Sequence, residues 1–267
     1  MLRIFVLLSA LLLPFAPWAS EITVSGGSEH FSWQEYNDGG SKLLKESGLR
    51  YFVELKGVNH FHPLWSSSFA GRLYSGVVGY ESDYWNDPDE GTTLAPEPVS
   101  TDVDYNGMRF EVVFSRRIGE LAHQRNQPQW WLDFSVGTEM WRRHLRSTRL
   151  SDGTGIGGAS EDYHTVYGRM GARFADPSGF SAQLGAKWPF HTDEEARVGA
   201  ETITLNPEGR LSVYAGVGYA FSPAWSLTLD YDSYRFAKSD PVEHNGMLVW
   251  QPESHQDALS LALHYRF

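Results

Sequence analysis

The chain is 267 residues long, carries a formal charge of −11 and contains no cysteine. The lack of cysteine excludes disulfide frameworks, thiolate metal sites and cysteine nucleophiles. The negative charge argues against nucleic acid as a partner, because a nucleic-acid-binding protein needs a basic surface. Aromatic residues make up 14% of the chain, and they favour surfaces that are part apolar and part wet.

The first twenty residues have the features of a secretory signal peptide. Arg3 precedes an apolar run from Ile4 to Leu13, and small residues follow. This run is shorter than the roughly 20 apolar residues that a membrane-spanning helix needs. We therefore predict that residues 1–20 form a cleaved signal peptide, with cleavage near Ser20, and that residues 21–267 form one exported domain.

Residues 21–85 carry the weakest strand pattern in the exported part. Three strands are expected there, near residues 29–36, 49–60 and 69–84. In the third of these, either face could be the apolar one, and residues 37–48 could contain further structure. The strand total for the chain is expected to be ten, with eight or twelve as alternatives, because each strand of a membrane barrel gives a weak signal.

From residue 108 onward, apolar and polar residues alternate in seven segments. The last one, LSLALHYRF, is the clearest, since leucines and aromatic residues fall on one side and Ser, Ala, His and Arg on the other. A period of two is typical of a strand with one apolar face. The seven segments are residues 108–114, 130–140, 165–174, 180–188, 211–221, 225–231 and 259–267.

The connections between these strands alternate in length. Long segments occupy residues 86–100, 150–161, 190–209 and 238–256, whereas residues 176–179 and 222–224 form tight turns. A soluble β-sandwich would have connections of mixed length at both ends. Long loops outside and short turns in the periplasm are typical of a closed antiparallel transmembrane β-barrel. We therefore predict this all-β fold, with both chain ends at the periplasmic side.

The final strand resembles the C-terminal β-signal of Gram-negative outer-membrane proteins. The resemblance lies on Leu261, Leu263, Tyr265 and the aromatic last residue, Phe267. It implies recognition by the barrel assembly machinery and insertion into outer-membrane lipid. A closing strand also leaves no unpaired backbone edge in lipid, where each unpaired group is costly. The sequence does not indicate the oligomeric state.

The same alternation turns charged residues of both signs toward the interior of the barrel. A ten-stranded barrel is little wider than the eight-stranded kind, whose interior is filled by side chains. We expect these charges to be paired or hydrated in a plugged lumen, and a conducting pore is the alternative. The predicted lumen charges are Asp133, Glu139, Arg169, Arg173, Lys187, Asp230 and Asp232.

The ten-strand layout with long outer loops is similar to that of the omptin proteases. Omptins carry an Asp-x-Asp pair at the top of one strand and an Asp-Glu-His run at the top of another. Asp83 and Asp193 match this pattern, whereas Glu81 replaces an aspartate and Glu195 replaces the histidine. His191 is the candidate substitute for activating a water molecule.

Two functions are consistent with these observations. The leading one is a structural, surface-contact or narrow-pore role, and the alternative is an omptin-like surface hydrolase with an altered or lost active site. No cofactor or metal site is expected, because the histidines and acidic clusters lack the spacing of such sites.

Overall fold

The computed structural model describes residues 19–85, 96–118, 127–150, 153, 155–198 and 201–267. Most of the predicted signal peptide, residues 1–18, lies outside the described residues, as do parts of the predicted outer loops. The described chain is built from strands. Within it, no helix is long and apolar enough to cross a membrane.

Ten long antiparallel strands form the barrel: β1–β5, β8, β9, β12, β13 and β16, with β10 and β11 extending its sheet. Two small hairpins, β6–β7 and β14–β15, lie apart from that sheet. The strands are β1 (Glu21–Tyr36), β2 (Lys42–His62), β3 (Trp65–Trp85), β4 (Pro96–Ile118), β5 (Gln129–Leu145), β6 (Thr148–Arg149), β7 (Gly155–Ile156), β8 (Ala159–Ala175), β9 (Phe180–Val198), β10 (Glu201–Leu205), β11 (Gly209–Arg210), β12 (Ser212–Ala220), β13 (Trp225–Phe236), β14 (Val242–His244), β15 (Met247–Val249) and β16 (Glu253–Arg266).

The sheet closes on itself through the first and last strands. Strand β1 pairs with β16 from Thr23 opposite Arg266 to Tyr36 opposite Glu253. Each of the ten barrel strands therefore has two neighbours, and the backbone presents no open edge to lipid. The fold class predicted from the sequence, a closed antiparallel barrel of ten strands, is confirmed.

Large apolar side chains cover the outer face of the barrel. Val53, Val136 and Leu184 are 57%, 59% and 65% exposed, respectively. Such exposure is expected for apolar side chains that contact lipid. The apolar band is bordered by aromatic residues at the end of the barrel where Glu21 and Phe267 lie, here named the turn end. Aromatic girdles of this kind mark the membrane interface of outer-membrane barrels. The aromatic residues at the turn end of this barrel include Trp65, Trp130, Phe180, Phe221, Trp225 and Phe267.

At the opposite end, here named the loop end, the strands continue beyond the apolar band. Outward positions there carry ion pairs, including Arg142–Asp162 at 2.6 Å and Arg146–Asp104 at 2.7 Å. These strand segments therefore lie outside the membrane-spanning part.

The sequence predicted a loop from residue 190, but β9 continues to Val198. The prediction was wrong because both faces of a strand outside the membrane are polar, so the apolar alternation stops while backbone pairing goes on.

The N-terminal strands are also longer than predicted. Strand β2 begins at Lys42, so residues 37–48 contain a short turn and the start of a strand rather than a separate element. In this turn, the Asn37 N–H donates to the Ser41 carbonyl oxygen at 2.9 Å, and Gly40 has a φ of 77°. The connection between β1 and β2 is therefore tight although it lies at the loop end, and it departs from the long-and-short alternation.

Candidate functional site: the closed lumen and its outer mouth

The structure places all seven predicted lumen charges on the inner side of the barrel wall. Each has a partner of opposite charge or a hydrogen-bond donor, as the narrow interior requires. The distances are 2.5 Å for Lys187–Asp232, 2.9 Å for Arg173–Asp133, 2.9 Å for Arg109–Glu139, 3.1 Å for Arg169–Glu111 and 2.9 Å for Gln183–Asp230.

Six of the inward side chains form a connected layer across the middle of the lumen. The layer, here named the central layer, consists of Tyr74, Arg109, Glu139, Lys187, Asp232 and Tyr234. Glu139 on β5 is fully buried and accepts hydrogen bonds from the hydroxyls of Tyr74 and Tyr234, both at 2.8 Å. Strand β13, which carries Tyr234, is not a neighbour of β5 in the sheet. These hydrogen bonds therefore cross the lumen rather than run along its wall.

Aromatic rings fill the lumen between the central layer and the loop end. Trp141 and Tyr163 stack with ring centroids 4.8 Å apart and planes 3° from parallel. Trp33 packs against the same tyrosine at 5.5 Å, and Phe31 packs against Tyr105 at 4.7 Å. All five side chains are nearly or fully buried, so the outer half of the interior is a packed core.

Above this core lies a cluster of four glutamates and one arginine, here named the outer-mouth cluster: Glu35, Glu46, Arg143, Glu161 and Glu194. Arg143 lies 3.4 Å from Glu35, and it also forms ion pairs with Glu46 and Glu161, both at 2.5 Å. The side chains come from β1, β2, β5, β8 and β9, so the cluster joins strands around the barrel. Its acidic residues outnumber its one basic residue.

Burial changes the protonation of these glutamates. It raises the pKa of Glu35 and Glu46, although the guanidinium of Arg143 opposes the shift in both cases. The pKa of Glu194 lies well above its usual value, first because the side chain is buried and second because Glu161 and Glu35 repel its charged form. Groups with strongly shifted pKa values are enriched at functional sites, and the cluster is therefore the candidate site at this end.

At the turn end the lumen is open. A cavity of about 560 Å³, here named the vestibule, is lined by paired charges and hydroxyl groups. Glu54, Arg72, Arg169 and Asp232 are among the lining residues. Because the vestibule is polar, it is suited to hold water. It ends at the central layer, which contributes Arg109 and Asp232 to its lining.

Among the residues suggested by the omptin resemblance, those with described side chains lie on the outer side of the barrel wall. Glu81 is exposed, and His191 and Asp193 bond to each other at 2.8 Å with side chains that are 55% and 39% exposed. Asp83 lies in β3 opposite Pro98, and its side chain is outside the described residues. Since buried Thr192 and Glu194 point inward, their neighbours His191 and Asp193 point outward from the wall.

Glu194, the residue after Asp193, points inward, and the sequence did not predict it as a site residue. A register shift between β8 and β9 at Val166 and Tyr167 changes the phase of the alternation just before it. The alternation of Phe31, Trp33 and Glu35 was an available signal for the part of the cluster on β1. The alternation of β5 likewise turns Arg143 to the same side as Glu139, but nothing in the sequence indicated that Glu35 and Arg143 meet.

The four residues of the predicted assembly signal lie on one face of β16. Leu261 and Leu263 are 49% and 43% exposed on the outer surface. Tyr265 packs its ring against Trp225 and against Phe267, with centroids 4.8 Å apart in both pairs. Their recognition by the assembly machinery stays a prediction.

No protein-family model matches the sequence, and no curated protein matches it. Its structure is similar to that of the outer membrane protease OmpT from Escherichia coli, with a TM-score of 0.56, 13% identity, and coverage of 93% of this chain and 97% of that chain. An outer membrane channel from Pseudomonas putida F1 gives a TM-score of 0.42 at 9% identity, covering 94% and 96% of the two chains. At 13% identity the likeness to OmpT shows the fold alone: this chain has the fold of an outer-membrane β-barrel, with a distant omptin-like layout.

Proposed function

We propose that this protein is a non-conducting outer-membrane barrel with a structural or surface-contact role. The observation that supports this role is the central layer, whose hydrogen bonds cross the lumen between strands that are not neighbours. Glu139 is fully buried and Lys187 is 1% exposed, so no water path passes these two residues. The surface that meets the cell exterior would be the charged loop end.

Opening this layer would be energetically costly. An ion crossing it would have to separate Arg109 from Glu139 and Asp232, which lie 2.9 Å away in both cases. Breaking a buried ion pair leaves an uncompensated charge and costs about 3–5 kcal/mol. On this proposal the water-accessible part of the lumen is the vestibule at the turn end, and the interior is a blind cavity rather than a continuous pore.

Planar-bilayer recordings test this proposal. The wild-type protein should show little or no steady conductance. The triple variant Glu139→Ala, Trp141→Ala, Tyr234→Ala should show a steady conductance, because it removes both halves of the contact across the lumen and one ring of the aromatic core above it. Arg142→Ala, which changes an outward-facing side chain 54% exposed, is the matched control and should stay silent. Large, stable, ion-selective channels in the wild type would contradict a closed lumen.

A second candidate is the surface hydrolase, which one observation favours. Glu194 is 1% exposed at the outer mouth, and its pKa is raised by burial and by neighbouring carboxylates. A carboxyl whose pKa is raised in this way is suited to general-acid chemistry. The catalytic group would then be Glu194 rather than the outward-facing Asp193.

Peptide cleavage distinguishes the two candidates. The folded protein in lipid vesicles is incubated with a defined mixture of peptides, and the products are identified by mass spectrometry. Cleavage that is lost in Glu194→Gln and kept in Asp193→Asn would establish the hydrolase. Intact peptides with the wild type would leave the structural or surface-contact role.

A further inference from the structure

We propose that the outer-mouth cluster is a proton-operated latch on the loop end of the barrel. While the cluster holds a proton, the loop end is closed. When the proton leaves, the loop end loosens and admits water, whereas the central layer stays shut. This inference goes beyond the proposed function, which concerns the central layer alone.

The charges of the cluster do not balance without a proton. Four carboxylates face one guanidinium, so full ionisation would leave an excess of three negative charges (4 − 1 = 3). Arg143 forms ion pairs with Glu35, Glu46 and Glu161. The Oε2 atom of Glu194 has no hydrogen-bond partner among the described residues, although the side chain is 1% exposed. A buried carboxylate with one unpartnered oxygen is costly in its charged form, even beside a hydroxyl such as that of Tyr163, and a proton removes that cost.

No further cation faces the cluster from the described parts of the surrounding elements. The hydroxyl of Tyr163 donates to Glu161 at 3.0 Å, and that of Tyr105 donates to Glu46. The indole of Trp33 donates to Glu35 at 2.8 Å. The groups that face the cluster are Trp33 and Glu35 from β1, Glu46 from β2, Tyr80 from β3, Tyr105 from β4, Arg143 from β5, Glu161 and Tyr163 from β8, Glu194 from β9, and Gln251.

The raised pKa values of Glu35, Glu46 and Glu194 agree with a shared proton. Burial is the largest cause for each of the three. The proton is therefore held above pH 4.5, the usual value for glutamate, and is lost as the pH rises through the raised pKa. Loss of the proton brings like charges together in a space with little water, where repulsion is strong.

The part that would respond is the segment between β13 and β16. Its Gln251 donates from Nε2 to Glu35 at 3.1 Å and is 5% exposed, so it covers the cluster. Ser239 and Gln251 bond to each other twice, at 2.9 and 3.0 Å, and close the base of the segment. Lys238, the residue before Ser239, forms an ion pair with Asp38 at 2.9 Å on the surface. Displacement of Glu35 would release Gln251 and open the mouth.

Cysteine labelling tests the latch, because the chain has no cysteine of its own. Ser254 is fully buried opposite Glu35, and its hydroxyl has no hydrogen-bond partner within the described part of the chain, so Ser254→Cys places a thiol beside the cluster. Ser41→Cys, in the exposed turn after β1, is the control for the pH dependence of the thiol itself. Maleimide labelling of both variants is measured in lipid vesicles from about pH 5 to about pH 9.

The labelling ratio of Ser254→Cys to Ser41→Cys should rise with pH. The rise should be roughly tenfold for each pH unit over which the proton is lost, as expected of a local opening linked to one proton. Adding Glu194→Gln to Ser254→Cys should remove most of this rise, and Asp193→Asn should leave it unchanged. A ratio that is constant with pH, or a rise that Glu194→Gln does not alter, would overturn the latch.

Folding of each variant is checked by heat-modifiable migration in gels. If Glu194→Gln does not fold, Glu35→Gln, which removes another carboxyl whose pKa is raised by burial, takes its place with the same two outcomes. The bilayer experiment separates this proposal from the preceding one. A conducting wild type would contradict the closed central layer, and a constant labelling ratio would contradict the latch.

Discussion

Glu139 connects the central layer to three strands besides its own. It accepts hydrogen bonds from Tyr74 and Tyr234 and is paired with Arg109 at 2.9 Å. The three partners come from β3, β13 and β4. A change at this one side chain therefore affects contacts on three strands besides its own.

We expect Glu139→Gln to destabilise the barrel by about 3 kcal/mol, the lower end for a broken buried ion pair, because it removes one of the two carboxylates, Glu139 and Asp232, that neutralise the buried guanidinium of Arg109. Urea unfolding in lipid vesicles measures the effect. The control is Lys238→Ala, which removes an ion pair with Asp38, a residue 80% exposed. Such a surface pair contributes about 0–1 kcal/mol. Equal effects of the two substitutions would contradict the role of the central layer.

Glu194 should make stability depend on pH. Its folded-state pKa is raised, so its stabilising contribution is complete below pH 4.5 and is lost as the pH rises through the folded-state value. The free energy of unfolding should therefore fall with rising pH in the wild type. Glu194→Gln should flatten this dependence, whereas Asp193→Asn should not. A wild-type slope that survives Glu194→Gln would assign the titration to another group.

At the scale of the strand, the two faces of β13 meet different environments. Leu229 is 43% exposed on the outer surface, and Thr228 points inward, where its hydroxyl donates to Asp230 at 2.6 Å. We expect Leu229→Arg to cost about 2–4 kcal/mol, as for a charge in the lipid midplane. Thr228→Arg should cost less, because Asp230 lies beside it in the polar vestibule. Equal costs in urea unfolding would mean that the register is wrong.

Strand β16 supports a second prediction. The Phe267 N–H donates to the Ile22 carbonyl oxygen at 2.9 Å, and its ring packs on Tyr265. Phe267→Ala should therefore lower the amount of heat-modifiable barrel in the outer membrane and leave unfolded chain in the periplasm. Leu248→Ala, in the small hairpin outside the barrel sheet, is the control. Unchanged barrel levels in Phe267→Ala would contradict the assembly-signal prediction.

The sequence predicted strands well only where they cross the membrane. Lipid on one side and a polar lumen on the other impose a strict alternation, and it is visible in β5, β12 and β16. Beyond the membrane both faces are polar, so the upper part of β9 was taken for a loop. The outer-mouth cluster could not be predicted, because the meeting of Glu35 with Arg143 and Glu194 depends on strand register and on the shift at Val166.

For the molecule as a whole, the two ends of the barrel differ in a way that indicates its orientation. At the turn end, the connection between β12 and β13 spans residues 221–224, and the aromatic girdle lies close to it. At the loop end, β9 runs eight residues beyond Phe190 to Val198, a rise of about 26 Å at roughly 3.3 Å per residue. Outer-membrane barrels carry their longer connections outside and their short turns in the periplasm.

We therefore predict that an epitope inserted after Gly246 is reached by antibody in intact cells. Gly246 lies in an exposed turn of the loop end, where its φ is 78°. Exposed turns tolerate insertions. An epitope inserted after Pro223, in the short turn between β12 and β13, should be reached only after the outer membrane is made permeable. Antibody binding to the Pro223 epitope in intact cells would reverse the orientation. The outer-mouth cluster would then face the periplasm, and the vestibule would open at the cell surface.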